Sequence, residues 1–408
     1  MQEIIQRDLF KTLKEESKNS KITALIGSRQ VGKTTALKYV LSESESSKYL
    51  SFDDITLLRL FTGNPALFYE QHIKPHKVVV IDEFQYAPEG GKVLKFIYDQ
   101  LLDGQKIFIS GSSGPDISIE SIQYLVGRIS ILEAFPLSFR EFIGYREPSM
   151  QVLFKKERKV SDFEQMMPLF DDYLIYGGYP GVVVSPNREK ELANLVNTYL
   201  LKEIRQVLNY KNHFEFDLLL RQLAARDGQL LNVSGLSVDT GINRNKLKEL
   251  ISVIEKTYLL FLLKPFFNNK SKELIKSPKT YLGDLGLKNA LLNNFNNLSL
   301  RQDKGAILES FVCNSILQQG NKPQFWNELK QHEIDFVLTG QGRTIGIEVK
   351  SSLPEIKLTP SISAFIRKHK PDAGIVLNFS KEGELIYENV PVRFMHVLNI
   401  QTDNVLDY

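Results

Sequence analysis

Of 408 residues, one is cysteine and one is tryptophan. A single cysteine, Cys313, excludes an internal disulfide and any cysteine-based zinc site, and it fits a reducing compartment. The six histidines show no paired metal spacing, so they read as core or surface residues. Long apolar runs are missing too. The longest, Tyr258 to Leu263, is bracketed by Lys256 and Lys264, far short of the roughly 20 residues that span a bilayer. The start Met1-Gln2-Glu3 is not basic, and Glu3, Arg7 and Asp8 interrupt any apolar stretch, so a cytoplasmic protein without a secretory leader and without a membrane partner is expected. Neither sign of charge dominates: 51 Lys and Arg against 48 Asp and Glu leave a net charge of +3, too weak to signal nucleic acid by itself. What remains is ordinary globular composition, 42% hydrophobic and 24% charged. At this length one compact core does not suffice, and two to four domains are expected.

Against that plain background the segment Gly27-Ser28-Arg29-Gln30-Val31-Gly32-Lys33-Thr34 stands out, directly after the apolar run Ile22–Ile26. It is the pattern GxxxxGK[ST] in its required context, a strand entering a loop that opens into a helix. Gly27 and Gly32 let the backbone curl so that successive N–H groups converge on an anion, and the following helix, with Thr35 in its first turn, adds its positive dipole end. Lys33 can reach β- and γ-phosphates and Thr34 can offer a hydroxyl to Mg²⁺. ATP and Mg²⁺ are the expected ligands.

A second signal follows at Lys77-Val78-Val79-Val80-Ile81-Asp82-Glu83. Four consecutive β-branched residues predict a strand buried on both faces. Carboxylates at the C-terminal end of such a strand lie where an α/β sheet places ligand chemistry. Asp82 would then hold the Mg²⁺ shell and Glu83 would polarise the attacking water. Strands are expected at 22–26, 49–52, 77–81 and 106–110, with helices at 2–16, 33–41, 54–60 and 91–102, the alternation of a parallel sheet. Ser110 or Ser112 at the end of the fourth strand is a candidate reporter of the γ-phosphate, with an ordinary turn as the equal alternative. Arg128 reads either as an arginine finger, in its own chain or on a neighbour in an oligomer, or as a surface residue.

Residues 150–210 read as mainly helical, broken by the turn Tyr176-Gly177-Gly178-Tyr179-Pro180-Gly181. Helices at 215–226 and 234–240, a longer one capped by Asn243 and running to Glu255, a strand Tyr258–Phe267, the turn Asn268-Asn269-Lys270 and a return strand at 278–282 compose a helix-turn-helix with a wing. Residues 241–279 hold nine Lys and Arg against three Glu. Arg244, Lys246 and Lys248 at the start of the second helix suit DNA or RNA phosphates. Packing against the ATPase is the competing use.

Near the C-terminus, Glu333–Leu338 and Arg343–Lys350 form a hairpin around Thr339–Gly342. Ile334, Phe336 and Leu338 are expected on one face, with Asp335, Glu348 and Lys350 together on the other. Glu309, on a helix over 305–318, lies in a strip with Val312, Cys313 and Ile316, and a carboxylate there wants a partner. Glu309, Asp335 and the Glu348-Val349-Lys350 triplet make an acid–acid–ExK pattern. Three carboxylates can hold Mg²⁺ and Lys350 can orient a nucleophile; an amphipathic hairpin with a cross-strand ion pair satisfies the same text.

The ordered set GSRQVGKTT, SFDD at 51–54, VVVIDEFQYAPE at 78–89, ISGSS at 109–113, GR at 127–128, FPLSFREF at 135–142, YGGYPGVV at 176–183, LE at 308–309, EIDFVL and IEVKSS resembles a prokaryotic family of AAA+-type ATPases with a C-terminal PD-(D/E)xK nuclease-like domain of unknown function. The resemblance runs from 22 to 352. It implies an α/β chain: a P-loop ATPase core at 1–150, a helical lid at 151–210, a winged helix at 211–290 and a restriction-endonuclease-like module at 291–408. By that match Gly32, Lys33, Thr34, Asp82 and Glu83 carry the nucleotide site. Phe84 departs from the aliphatic residue common there. The reading is an ATPase coupled to a nuclease-like module acting on nucleic acid or a protein complex of it; the rival is a nucleotide-dependent switch with an inactive platform.

Overall fold

The structure is a computed structural model that describes residues 4–87, 89–112, 124–154, 160–200, 213–267, 277–328, 331–402 and 405–407. The expected turn at Asn268–Lys270 and part of the helical stretch at 150–210 lie outside the described residues.

Five strands form the first sheet: β1 (Ile22–Gly27), β2 (Ser47–Ser51), β3 (Val78–Asp82), β4 (Lys106–Ser112) and β5 (Ile129–Ala134). All pair in parallel, in the order β2-β3-β4-β1-β5. β1 and β3 are central and carry few polar side chains because helices cover both faces. The sequence reading missed β5. It is an edge strand whose residues Ile129–Glu133 stay partly or fully exposed, so it lacks the apolar run that marks a central strand. Order matters for the chemistry. The loop after β1 and the acids after β3 are separated by β4 alone, and a parallel sheet puts both at one edge.

The first helix is shorter than expected, Asp8–Glu16. Arg7 before it is extended, with φ −121°, because its guanidinium is bound elsewhere. Its Nη1 donates to Val31 O at 2.9 Å, its Nη2 to Phe135 O at 2.9 Å, and its Nε lies 3.0 Å from buried Glu141.

The middle of the chain contains helices His213–Ala225, Val233–Thr240 and Arg244–Lys256. Asn232 and Asn243 cap the last two by accepting from Gly235 N and Lys246 N, and Gly241 ends the second at φ 75°. The third helix buries Leu247, Leu250, Ile251, Val253 and Ile254, each contributing roughly 2 kcal/mol. An antiparallel pair, β6 (Leu260–Leu263) and β7 (Lys279–Leu282), follows. The helix Leu285–Leu292, capped by Asp284, leads into the long helix Lys304–Gln318.

The C-terminal sheet has six strands: β8 (Gln324–Glu328), β9 (His332–Gly340), β10 (Arg343–Val349), β11 (Ala373–Asn378), β12 (Gly383–Tyr387) and β13 (Val390–His396). Their order is β12-β13-β11-β10-β9-β8. Helices Lys304–Gln318 and Pro360–His369 pack on opposite faces. The β8–β9 register shifts between Gln324↔Val337 and Trp326↔Ile334, so Asp335 and Phe336 together oppose Phe325. This bulge corrects the expected facing. Phe336 and Leu338 enter the inner core with Phe311, whereas Ile334 enters the outer core with Phe365.

Two core clusters cross the expected segment boundaries, while one stays within residues 22–125 and another within 326–394. One crossing cluster joins Leu25 and Val80 of the first sheet and Leu37 of the helix Lys33–Ser42 to Leu219, Leu250 and Leu282 of the middle segment. Another joins Phe139 and Phe170 to Tyr281, Phe311 and the inner face of the C-terminal sheet. Among the described residues no helix is long and apolar enough to cross a membrane.

Candidate functional site

The loop between β1 and the helix Lys33–Ser42 owes its curl to two left-handed residues, Gln30 at φ 58° and Gly32 at φ 93°. Gly27 is needed for close approach: a Cβ there would lie 2.1 Å from Ala134 O of β5. Lys33 is 8% exposed and folds back on the loop, donating to Gly27 O at 2.9 Å and Ser28 O at 2.8 Å. Burial pushes its ammonium down to about 8, although Glu83 and Asp82 favour the charge. Ser28 is buried and its hydroxyl lies 3.2 Å from that of Tyr179. Val31 is held by Arg7 through its carbonyl. The helix N-terminus places Thr34 Oγ1 2.7 Å from Asp82 Oδ2. Thr35 follows in the same first turn.

Asp82 is the hub at the end of β3. Besides Thr34 it accepts from the Tyr49 hydroxyl at 2.6 Å, from Ser110 Oγ, and from Glu83 N at 3.1 Å. Burial works against its charge, but these four donors together hold its carboxyl below the usual range. Burial and the same bond push the Tyr49 phenol far up. Ser110 thus holds the metal-type carboxylate. Glu83 is left-handed at φ 56° and its carboxylate accepts from Gln85 Nε2. Phe84, turned inward, packs on Phe52 and Phe61. The donor set suits a hard cation: Thr34 and Asp82 present oxygens alone, on adjacent elements. Arg7 and Tyr49 reach the loop and Asp82 from segments without a motif of their own, and Tyr179, although it sits in the turn 176–181, gives no sequence sign that it meets the loop.

Arg128 is a correction. It precedes β5, and Ile22 N donates to its carbonyl at 2.9 Å, so it sits where β1 and β5 begin. The phosphate loop is where they end, roughly 17 Å away at strand rise. The Arg128 side chain pairs with Asp99 at 3.2 Å and lies over Tyr98. It is not a finger for the loop of its own chain.

In the C-terminal module the carboxylates that come together are Glu309, Glu333 and Asp335, with one oxygen of each within 4.8 Å of the others. Glu348 is not in this group. Its carboxylate is buried, takes Lys350 Nζ at 2.7 Å and accepts from Thr359 Oγ1. The bulge explains the regrouping, since it turns Asp335 toward the helix that bears Glu309. Asp335 Oδ2 accepts from Val349 N at 2.7 Å. Burial first and Glu309 second push its carboxyl well above the usual range. Burial opposes the Lys350 charge, yet Glu348 outweighs it and raises the amine.

A cation already serves the group. Lys279 of β7 pairs with Glu309 at 3.0 Å and with Glu333, and Tyr281 donates to Glu309. Burial opposes the Lys279 charge, but Glu309 and Glu333 drive its amine far up. The Mg²⁺ expected at Glu309, Asp335 and Glu348 therefore does not fit this arrangement. Glu348 is tied to Lys350, and the Lys279 ammonium pairs with Glu309 and with Glu333 beside it. Lys279 carried no sequence signal beyond the basic count of its stretch, and Glu333, though it opens the EIDFVL segment, carried none as a member of the acid group.

In the middle segment Lys246 pairs with Glu249 at 3.0 Å, while Arg244 and Lys248 are exposed on the same helix.

Three family models match in succession: an AAA domain over residues 19–143, a domain of unknown function (DUF8612) over 167–298, and a domain of unknown function (DUF4143) over 304–398. The chain is 26% identical over 367 residues to the uncharacterized protein MJ1544 of Methanocaldococcus jannaschii, covering 85% of this chain and 78% of that one. It is 24% identical over 371 residues to the uncharacterized protein Rv2008c of Mycobacterium tuberculosis, covering 89% and 77%. Among solved structures, domain III of the Thermotoga maritima replication initiation protein DnaA overlaps at TM-score 0.29 and 13% identity, over 51% of this chain and 89% of that one. The signal transduction ATPase PH0952 of Pyrococcus horikoshii overlaps at TM-score 0.29 and 14% identity, over 78% and 46%. At such scores these overlaps add nothing to the assignment. Residues 19–143 are an AAA-type P-loop ATPase domain, and the chain is built to bind nucleotide.

Proposed function

We propose that this protein hydrolyses ATP at the loop 27–35 and uses the cycle to act on nucleic acid through its middle and C-terminal segments. The observation that carries the reading is the seating of Lys33 on Gly27 O and Ser28 O beside the Thr34–Asp82 pair. The ammonium donates to two loop carbonyls, and the anionic oxygens of a triphosphate are stronger acceptors for the same protons. Backbone N–H groups of Gly27, Ser28, Arg29, Gln30, Val31, Gly32, Lys33, Thr34 and Thr35 are the candidate cradle. Thr34 and Asp82 would hold Mg²⁺, which when bound neutralises charge on the β- and γ-phosphates. Glu83, released from Gln85, orients a water for attack on the γ-phosphorus. The bond from that phosphorus to the bridging oxygen breaks, ADP leaves with the bond electrons, and the water proton passes to Glu83 and on to solvent. Arg128 would serve only a neighbouring copy.

Nucleic acid as the target is supported by the exposed, basic start of the Arg244–Lys256 helix. A second reading, a nucleotide-driven switch whose C-terminal module is an inactive platform, is favoured by one observation, the Lys279 ammonium among the carboxylates.

Steady-state phosphate release by the purified full chain tests the core reading. Lys33→Ala should lose nucleotide binding and Glu83→Gln should keep binding but lose turnover by 10²-fold or more. Normal hydrolysis by both variants would remove the site assignment. A Mn²⁺-dependent cleavage assay on DNA and RNA, with Asp335→Ala and Lys350→Ala as controls, separates the two readings of the C-terminal module.

A further inference from the structure

We infer that Lys279 is a built-in cation that closes the Glu309–Glu333–Asp335 group to divalent metal, an inhibitory contact made by the β6–β7 hairpin on the C-terminal module. The inference rests on reading that module as a carboxylate site.

The lysine comes from a different segment than the acids, and its side chain is only 5% exposed. A lysine is buried this deeply only against fixed partners, and both of its ion-pair partners belong to the other module. Three carboxylates with oxygens this close repel one another unless a cation stands among them, and here the cation is part of the chain. Lys279 Nζ already pairs with two of the three carboxylates, at 3.0 Å to Oε1 of Glu309, the oxygen that Tyr281 also binds, and a divalent ion set among the same acids would face its positive charge. Ammonium and metal are therefore alternatives.

The hairpin that delivers the lysine is anchored at both ends. On the β6 side, Phe266 N donates to Phe325 O at 2.6 Å and Phe325 N to Lys264 O at 3.1 Å, which extends the C-terminal sheet at β8. On the β7 side, Gly228 N donates to Thr280 O at 2.7 Å, Thr280 N to Gln229 O at 3.0 Å, and Leu282 N to Asp227 Oδ1 at 2.7 Å. Two residues beyond β7, Asp284 accepts from Gly178 N at 2.8 Å, in the turn whose Tyr179 meets Ser28 of the phosphate loop. The strand bearing the lysine is thus joined by successive contacts to the nucleotide-binding loop. An open cleft of about 760 Å³, lined by Arg226, Gln229, Asn232, Ser277, Lys279 and Glu333, reaches the lysine and one of its two partners.

The test uses Mn²⁺ alone as probe, on the full chain without nucleotide, by calorimetry and electron paramagnetic resonance. Wild type and Lys279→Arg should show no site dependent on Glu309. Lys279→Met should gain one, with Mn²⁺ affinity at least 10-fold above any residual binding by the wild type, lost again in Lys279→Met with Glu309→Gln. The inference falls if Lys279→Met gains no site, or if wild type already binds Mn²⁺ in a way that Glu309→Gln removes. Should Lys279→Met fail to fold, reductive methylation of the wild type decides. Lys279 should react at least 10-fold more slowly than exposed Lys264, and equal rates would overturn the closure. Cleavage is scored apart: a Lys279→Met protein that binds Mn²⁺ but cuts nothing upholds the latch and ends the nuclease reading.

Discussion

The hydroxyl of Tyr179 lies 3.2 Å from that of Ser28 across 151 positions of sequence, both residues buried, so the phosphate loop is tied to the turn 176–181. The aromatic ring packs in the core shared by the ATPase sheet and the middle helices. Tyr179→Phe keeps that packing and loses one hydrogen bond, so it should cost about 1 kcal/mol. Tyr179→Ala empties the core position and should cost about 3–5 kcal/mol. Denaturant unfolding measures both. A Phe variant as damaged as the Ala variant would mean that the hydroxyl contact, not the ring, supports the loop.

The two loop glycines should fail in different ways. At Gly27 a Cβ meets Ala134 O at 2.1 Å with φ at 155°, and a backbone carbonyl cannot move aside. Gly27→Ala should lose 4 kcal/mol or more, roughly the range of severe core clashes. At Gly32 the nearest atoms are Arg7 Nη1 at 3.7 Å and a Pro180 carbon at 3.9 Å, so only φ is strained, at about 1–2 kcal/mol. Gly32→Ala should fold and bind ATP poorly. Thermal melts with and without ATP distinguish the outcomes.

How far these features were legible depends on how local they are. The phosphate loop and the acids of β3 each sit in one continuous stretch, so residue type and spacing sufficed for Lys33, Thr34, Asp82 and Glu83. The hairpin β9–β10 was legible for the same reason. Strand direction and order are not local. Arg128 looked close to a nucleotide site until β5 was seen to run from it to the loop rather than beside it. The bulge at Asp335 adds one residue to one strand, which no alternation pattern reveals, and it exchanges Glu348 for Glu333 in the acid group. Lys279 is one of nine basic residues in its stretch, and only tertiary packing sets it apart.

Tyr49 should act on turnover through Asp82. Its hydroxyl is one of four donors to that carboxylate. Tyr49→Phe leaves Thr34, Ser110 and the Glu83 amide in place, so kcat should fall only about 3- to 10-fold, the worth of one ordinary hydrogen bond. Thr34→Ala removes a donor that is also a candidate metal ligand and should cost more. The Mg²⁺ concentration for half-maximal hydrolysis should rise in both. A Tyr49→Phe enzyme with unchanged Mg²⁺ dependence would make the contact purely structural.

Asp284 should make the junction between the turn and the Leu285–Leu292 helix sensitive to pH. Burial pushes its carboxyl up to about 6, against the amides of Gly178, Leu287 and Gly286. The facing ionisable group is Tyr173, whose phenol burial keeps protonated. A folded value above the unfolded one means that the folded state binds the proton more tightly. This contribution to stability is therefore complete below pH 4 and is lost as pH rises through 6, by about 3 kcal/mol for a shift of about two units. Asp284→Asn has no proton to lose and should shift the melting temperature differently across this window. The wild-type value should fall relative to the variant between about pH 4 and 6.5, and a constant difference would show that Asp284 is ionised throughout.

Arg128 can serve hydrolysis only across a contact between copies, because its own loop lies at the far end of β5. Its guanidinium must then leave Asp99, a half-exposed pair at 3.2 Å that is worth about 1 kcal/mol or less. Specific activity should rise with protein concentration in wild type and stay flat in Arg128→Ala. Mixing Arg128→Ala with Lys33→Ala should restore part of the turnover, since each supplies what the other lacks: an intact loop from the first and an intact arginine from the second. Activity that is independent of concentration and identical in wild type and Arg128→Ala would leave the residue as a surface ion pair at the base of the sheet.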